Sequence, residues 1–319
     1  MALRNTLQFE NKINLDLRKE YQQYLDQTFT EEQRKEDPSL RFRITSLYKV
    51  HGSISNCFEM YMRPYVSKEE HELRNSTMVK LEADLTDPQA NSMETEGVRI
   101  LNSSMHMFSN IKHLLKRASS ISKGQIMFDV FNVVRRVIAL YIQKVSDTFK
   151  SDEKSLARRQ EKNFVVRACI YINTIDYIKE TLDSVSDLVV TLVSDPFGEK
   201  IDFGQEEEMG LSALNTIVNG IKRLVEGPID MAIGNHMTKI TWDRYDSGIS
   251  EASYYIKEIR ERLNTIIGYV RGNIGDVYMT QILNTICQIT NQKFINAVLK
   301  MKKISDMGIQ QLICGKFDV

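Results

Sequence analysis

The stretch Ile126-Met-Phe-Asp-Val-Phe-Asn-Val-Val-Arg-Arg-Val-Ile-Ala-Leu-Tyr-Ile-Gln-Lys-Val-Ser-Asp-Thr-Phe149 decides the fold class. Its apolar residues Val130, Phe131, Val134, Val137, Ile138, Tyr141 and Val145 recur at spacings of three and four, the period of an α-helix, and they cover more than one face. A helix apolar over more than one face needs neighbours on more than one side, so this segment is predicted to be the centre of a helical bundle.

The same period extends outward in both directions. Upstream, Val98, Leu101, Met105, Phe108, Ile111 and Leu115 predict a helix that stops near Ser119 to Gly124. Before it, Thr86-Asp-Pro88 and the polar residues to Gly97 read as a loop. Ser67-Lys-Glu-Glu70 has capping-box spacing and predicts the start of a helix that runs to about Leu85. A helix bearing Ile44, Leu47, Ile54, Phe58 and Tyr61 is expected to end at Pro64, and Leu3, Leu7, Ile13, Leu17, Tyr21 and Tyr24 mark one long amphipathic helix at the start.

Downstream, Lys150-Ser-Asp-Glu-Lys-Ser155 lacks large apolar residues and is the expected boundary between two bundles, 1–150 and 151–319. Helical patterns then run from Leu156 to Val193, from about Glu206 to Val225, and on to Trp242, with Gly227-Pro228 either kinking or ending the middle one. Two long segments, Ile249 to Val270 and Ile274 to Met301, and a short one from Gly308 to Cys314 complete the chain. The expected fold is all-α: consecutive antiparallel helical bundles forming an elongated helical rod.

Composition narrows the function. Lys+Arg and Asp+Glu both total 42, so the formal net charge is zero and the positive field that drives nucleic-acid binding is missing. Cys57, Cys169, Cys287 and Cys314 are far apart and form no C-x-x-C pair, which reads as buried, reduced thiols. The N-terminus has no apolar core of a signal peptide, and the longest apolar run, Val137 to Ile142, is far below the ~20 residues a membrane helix needs.

Catalytic patterns are missing as well. No Glu stands three residues before any of the five histidines, and no H-E-x-x-H, D-D-x-x-D or G-x-S-x-G occurs. The run from Gly308 to Gly315-Lys316 has the wrong spacing for a phosphate loop and no strand before it. His106 and His113 lie seven apart without a third ligand, and read as surface or half-buried histidines. No cofactor, metal or catalytic residue is therefore expected, and the chain reads as an interaction protein. Two basic clusters, Lys112, Lys116, Arg117 and Lys123, and Lys300, Lys302 and Lys303, are either solvated helix faces or contacts for acidic lipid headgroups or an acidic partner. Trp242 is an interface anchor or a core residue.

The order of several segments resembles the middle and C-terminal region of the vacuolar protein sorting fifty-three family, a subunit of the Golgi-associated retrograde protein complex. They are Ala2-Leu-Arg-Asn-Thr-Leu-Gln-Phe-Glu10, Gly52-Ser-Ile-Ser-Asn-Cys-Phe-Glu59 with Tyr65-Val66, Ile170-Tyr-Ile-Asn-Thr-Ile-Asp-Tyr177, the helix ending in Trp242, and Lys303-Ile-Ser-Asp-Met-Gly-Ile-Gln-Gln-Leu312. The resemblance implies a non-catalytic subunit of a vesicle-tethering complex, similar in architecture to exocyst and oligomeric Golgi complex subunits. It would act in transport from endosomes to the trans-Golgi network, as a cytoplasmic protein peripheral to those membranes. Other subunits of the complex, SNAREs or small GTPases are the partners implied, with peripheral membrane contact and no nucleic acid. The family's N-terminal coiled coil has no counterpart here, and relatives continue past Leu312, so a fragment or short form is expected. The candidate interface is Lys302, Lys303, Ile304, Gly308 and Gln311; for Ile304 and Gly308, packing of the last helix onto its bundle is the competing role. The alternatives in function are a subunit of another helical tether, a helical GTPase-effector scaffold, or an enzyme whose site follows no recognised pattern.

Overall fold

The computed structural model describes residues 2–29, 53–54, 57–58, 61–156, 160–194, 196–245 and 253–314. Among these the elements are α1 (Ala2–Thr28), α2 (Arg63–Thr86), β1 (Ser92–Thr95), β2 (Val98–Leu101), α3 (Asn102–Ser119), α4 (Gln125–Leu156), α5 (Glu161–Leu192), α6 (Gly204–Asn235), α7 (Tyr254–Val270), α8 (Asp276–Leu299) and α9 (Asp306–Cys314). Short 3-10 turns occupy Gly198–Lys200, Met237–Lys239 and Trp242–Arg244. The fold class is all-helical, as the periodicity predicts, with a single two-stranded hairpin among the described residues.

The elements group into two compact units, and neither is a continuous stretch of chain. One comprises Met1–Arg74, Ser109–Arg136 and Val185–Ile201; the other comprises Asn75–Phe108, Val137–Ser184 and Asp202–Val319.

In the first unit the opening half of α4 is the core, with Ile126, Met127, Val130, Phe131, Val133 and Val134 all buried. Two cross-helix ion pairs border it. Arg117 meets Glu69 at 2.6 Å, and Arg136 holds Glu70 by two parallel hydrogen bonds of 2.8 and 2.7 Å. The turn after α3 is tied down by Ser194, whose amide and hydroxyl both donate to the Lys123 carbonyl. On α1 the buried Glu10 carboxylate accepts the Ile54 amide at 2.6 Å.

In the second unit the closing half of α4 packs antiparallel on α5: Phe149 lies 5.4 Å from Phe164 between ring centroids, and Asp152 meets Arg167 at 2.8 Å. The Arg167 guanidinium also donates to the Leu85 carbonyl, and Tyr171 donates to Asp152, so each member of this near-buried group has a partner. Helix α6 packs against both α7 and α8. Gly220 sits against the edge of the Phe149 ring, which only a residue without Cβ allows. Arg223 grips Glu153 by two hydrogen bonds nearby, and Arg262 pairs with Glu161.

Several sequence expectations give way to the structure. Val98–Leu101, expected to open a helix, is a strand paired with Ser92–Thr95, which was expected to be loop. The two-residue turn between them places Glu96 at φ 51° and Gly97 at φ 81°, the left-handed pair that matches strand twist in a tight hairpin. Side chains of α5 secure the hairpin. The Asn173 amide donates to the Arg99 carbonyl, and Thr174 Oγ1 accepts the Leu101 amide.

Pro64 opens a helix instead of ending one, because a proline in the first turn forfeits only an amide that has no partner there. Ser67 and Glu70 therefore lie inside α2, and the Glu70 carboxylate serves Arg136, not a cap. Residues 150–155, the expected boundary, are helical within α4; they contain neither Pro nor Gly, and Lys and Glu are good helix formers. Helix α6 runs through Pro228. The ~3 kcal/mol an interior proline costs is offset by burying Ile229, Ala232 and Ile233 beyond it, at roughly 1.5–3 kcal/mol per large side chain. The helix expected over residues 44–61 falls almost wholly outside the described residues.

Candidate interaction surface

The five candidate residues lie where α8 hands over to α9. Ser305 starts α9: its hydroxyl accepts the Gly308 amide at 3.2 Å, the bond of a helix N-cap. Its own amide donates to the Trp242 carbonyl at 2.8 Å, and its hydroxyl reaches the Tyr245 carbonyl at 3.3 Å. Gly308 is buried beneath this contact, and a Cβ there would stand 3.0 Å from the Trp242 carbonyl oxygen. Gln311, 1% exposed, donates to the Ser253 hydroxyl at 3.1 Å. Ile304 is half-buried against Gly308.

Ser305 and Gly308 thus hold α9 onto the 3-10 turn that carries Trp242, and Gln311 ties it to Ser253, the residue before α7. Trp242 itself is 4% exposed; its indole N–H donates to the Met237 carbonyl at 2.9 Å and its ring stacks on Tyr245. It is a core residue, not a surface anchor.

Lys302 and Lys303 differ from the other three, since both side chains are exposed. They border an open groove of about 610 Å³ whose walls come from residues 238–243 and from Ala297 and residues 300–303. Lys239 and Lys300 are exposed on the same groove, and Asp243 is the one carboxylate among the described residues that line it. Lys300, Lys302 and Lys303 are neighbours in the chain, which makes them legible as a cluster in the sequence. Lys239 is not legible in that way: it lies far upstream, and only the packing of the Trp242 turn against the end of α8 brings it in.

The second basic cluster is divided in use. Arg117 is spent on Glu69, whereas Lys112 and Lys116 are exposed. His106 and His113 are exposed too, and among the described residues no three His, Cys, Asp or Glu side chains converge as metal ligands. Burial pushes the Cys169 thiol up to about 12, so it stays protonated and unreactive at neutral pH. Among the described residues no helix is long and apolar enough to cross a membrane.

No family model matches the chain. Over 283 residues it is 24% identical to vacuolar protein sorting-associated protein 53 A of Arabidopsis thaliana, a match that covers 83% of this chain and 32% of that protein. The chain thus spans about a third of the length of that curated relative. Among solved structures, the C-terminal domain of the exocyst subunit Sec6p matches with a TM-score of 0.65 over 81% of this chain and 67% of that one, at 11% identity, which is a likeness of fold. In sequence the chain is similar to vacuolar protein sorting-associated protein 53 A, and in fold to the C-terminal domain of an exocyst subunit.

Proposed function

We propose that the chain is a non-catalytic part of a multisubunit vesicle-tethering complex that acts in retrograde transport from endosomes to the trans-Golgi network. The observation that carries this reading is the match to vacuolar protein sorting-associated protein 53 A over 83% of the chain. The helical fold shared with an exocyst subunit supports it independently of sequence. In this role helices act by geometry: packed cores keep a contact surface in a fixed place, and the partners are other subunits of the complex, with SNAREs or small GTPases beyond them. The protein works at the cytoplasmic face of trans-Golgi and endosomal membranes. Within the candidate interface Lys302 and Lys303 make the contact, and Ile304, Gly308 and Gln311 position them.

Affinity purification of the chain from cells, followed by mass spectrometry, tests the assignment. Recovery of the subunits of the retrograde complex is the expected result. Recovery of exocyst subunits without them would place the chain in a different tether.

A further inference from the structure

The groove beside Trp242 concentrates positive charge on a chain whose Lys+Arg and Asp+Glu totals are equal. Among the described residues that line it, Lys239, Lys300, Lys302 and Lys303 face one carboxylate, Asp243, an excess of four minus one, or +3. All four lysines are exposed, and none makes an ion pair to a described residue. Helix α8 accounts for Lys300, which sits at its C-terminal, negative end, but Lys302 and Lys303 lie beyond the helix. Like charges brought together by separate segments cost stability unless an anion relieves them.

We propose that this groove binds the phosphorylated headgroup of a phosphoinositide at a membrane surface. The inference rests on the placement of the contact surface in the proposed function, not on which complex the chain joins. Three observations favour a compact polyanion over an acidic peptide. The groove volume of about 610 Å³ suits a small ligand. Among the described residues that line it the one aromatic side chain, Trp242, is buried with its N–H already used, so these residues offer no aromatic pocket in which a peptide anchor gains affinity. The cations among them are lysines, mobile point charges that can crowd round one multiply charged headgroup, whereas an acidic peptide spreads its charge along a chain. Next to Lys300, Leu299 projects into solvent at 77% exposure, with Ile295 at 50% one turn before it. Aliphatic side chains projecting beside lysines are the pattern of a surface that dips into the headgroup layer.

The test is binding of the full chain to phosphatidylcholine vesicles carrying a few mole per cent of a phosphatidylinositol monophosphate. Vesicles whose charge is matched with phosphatidylserine are the comparison. Each lysine near an anionic surface strengthens binding roughly fivefold, so the double variant Lys302→Glu, Lys303→Glu should weaken partition at least about 25-fold with an unchanged thermal melt. The double variant Lys112→Glu, Lys116→Glu, which alters net charge equally, should bind like the parent. Equal binding to the phosphatidylserine vesicles, equal loss in both variants, or capture of an acidic peptide with no vesicle binding would each overturn the proposal. Which subunits co-purify with the chain is independent of all three results.

Discussion

Replacing Gly220 by Ala sets two known effects against each other in one helix. In an exposed helix interior the change stabilises by about 1 kcal/mol, because glycine loses more backbone entropy on folding. At Gly220 the added methyl would stand 2.9 Å from Phe149 Cε1 and closer still to Cζ. Phe149 is fully buried and rests on Phe164, so its ring has no free space to swing into. Overpacking a dense core costs about 1–3 kcal/mol, and the rigid neighbour puts this site at the top of that range. Subtracting the propensity gain leaves Gly220→Ala destabilised by about 2 kcal/mol. Gly234 is the internal control: it lies in the same helix with nothing within 4 Å of its virtual Cβ. Gly234→Ala should gain up to about 1 kcal/mol, so urea melts should separate the two variants by roughly 3 kcal/mol. In a Phe149→Leu background, where the ring is gone, the Gly220→Ala penalty should disappear, a coupling that a double-mutant cycle reads directly. Equal stability of Gly220→Ala and Gly234→Ala would show that α4 and α6 do not approach closely at Phe149.

Three further outcomes follow from other parts of the structure. Val134→Asp places an unpaired charge at a site with no exposure, which should cost about 4 kcal/mol or more; a cooperative melt at the parent's temperature would contradict its burial. Arg167→Ala leaves Asp152 near-buried without its cation and should cost about 3 kcal/mol, whereas Lys144→Ala, at an exposed pair with Glu82, should cost under about 1 kcal/mol; similar losses in urea melts would refute the distinction. Hydrogen bonding by Arg136 holds the Glu70 carboxyl below its usual range, so this pair contributes above the ordinary glutamate pKa and its contribution fades as pH falls through the lowered value. Because both side chains are a third or more exposed, Glu70→Gln should lose under about 1 kcal/mol near neutral pH, and a stability gap that persists well below about pH 4 would contradict the assignment.

What the amino-acid sequence determined by itself is what a helix decides locally. Apolar residues at three and four, with few prolines and glycines between them, suffice for α1, α3, α4, α5 and the pair α7 and α8, since hydrogen bonds inside a helix join residues four apart. The missing catalytic spacings were legible for the same reason, as was the basic run at Lys300, Lys302 and Lys303.

Tertiary structure decided whatever depends on residues distant in the chain. Val98 and Leu101 satisfy helix spacing as well as strand alternation, and only the pairing with β1 and the Asn173 and Thr174 bonds from α5 select the strand. The capping-box spacing at Ser67 was satisfied by chance, while Glu70 found its partner 66 positions away. The candidate interface divided in the same manner: burial of Gly308 against the Trp242 carbonyl and of Gln311 against Ser253 turned both into packing residues and left Lys302 and Lys303 outside. Lys239 joined them because the free energy of burying Trp242 and Ala297, not any local propensity, brings two remote segments together around one groove.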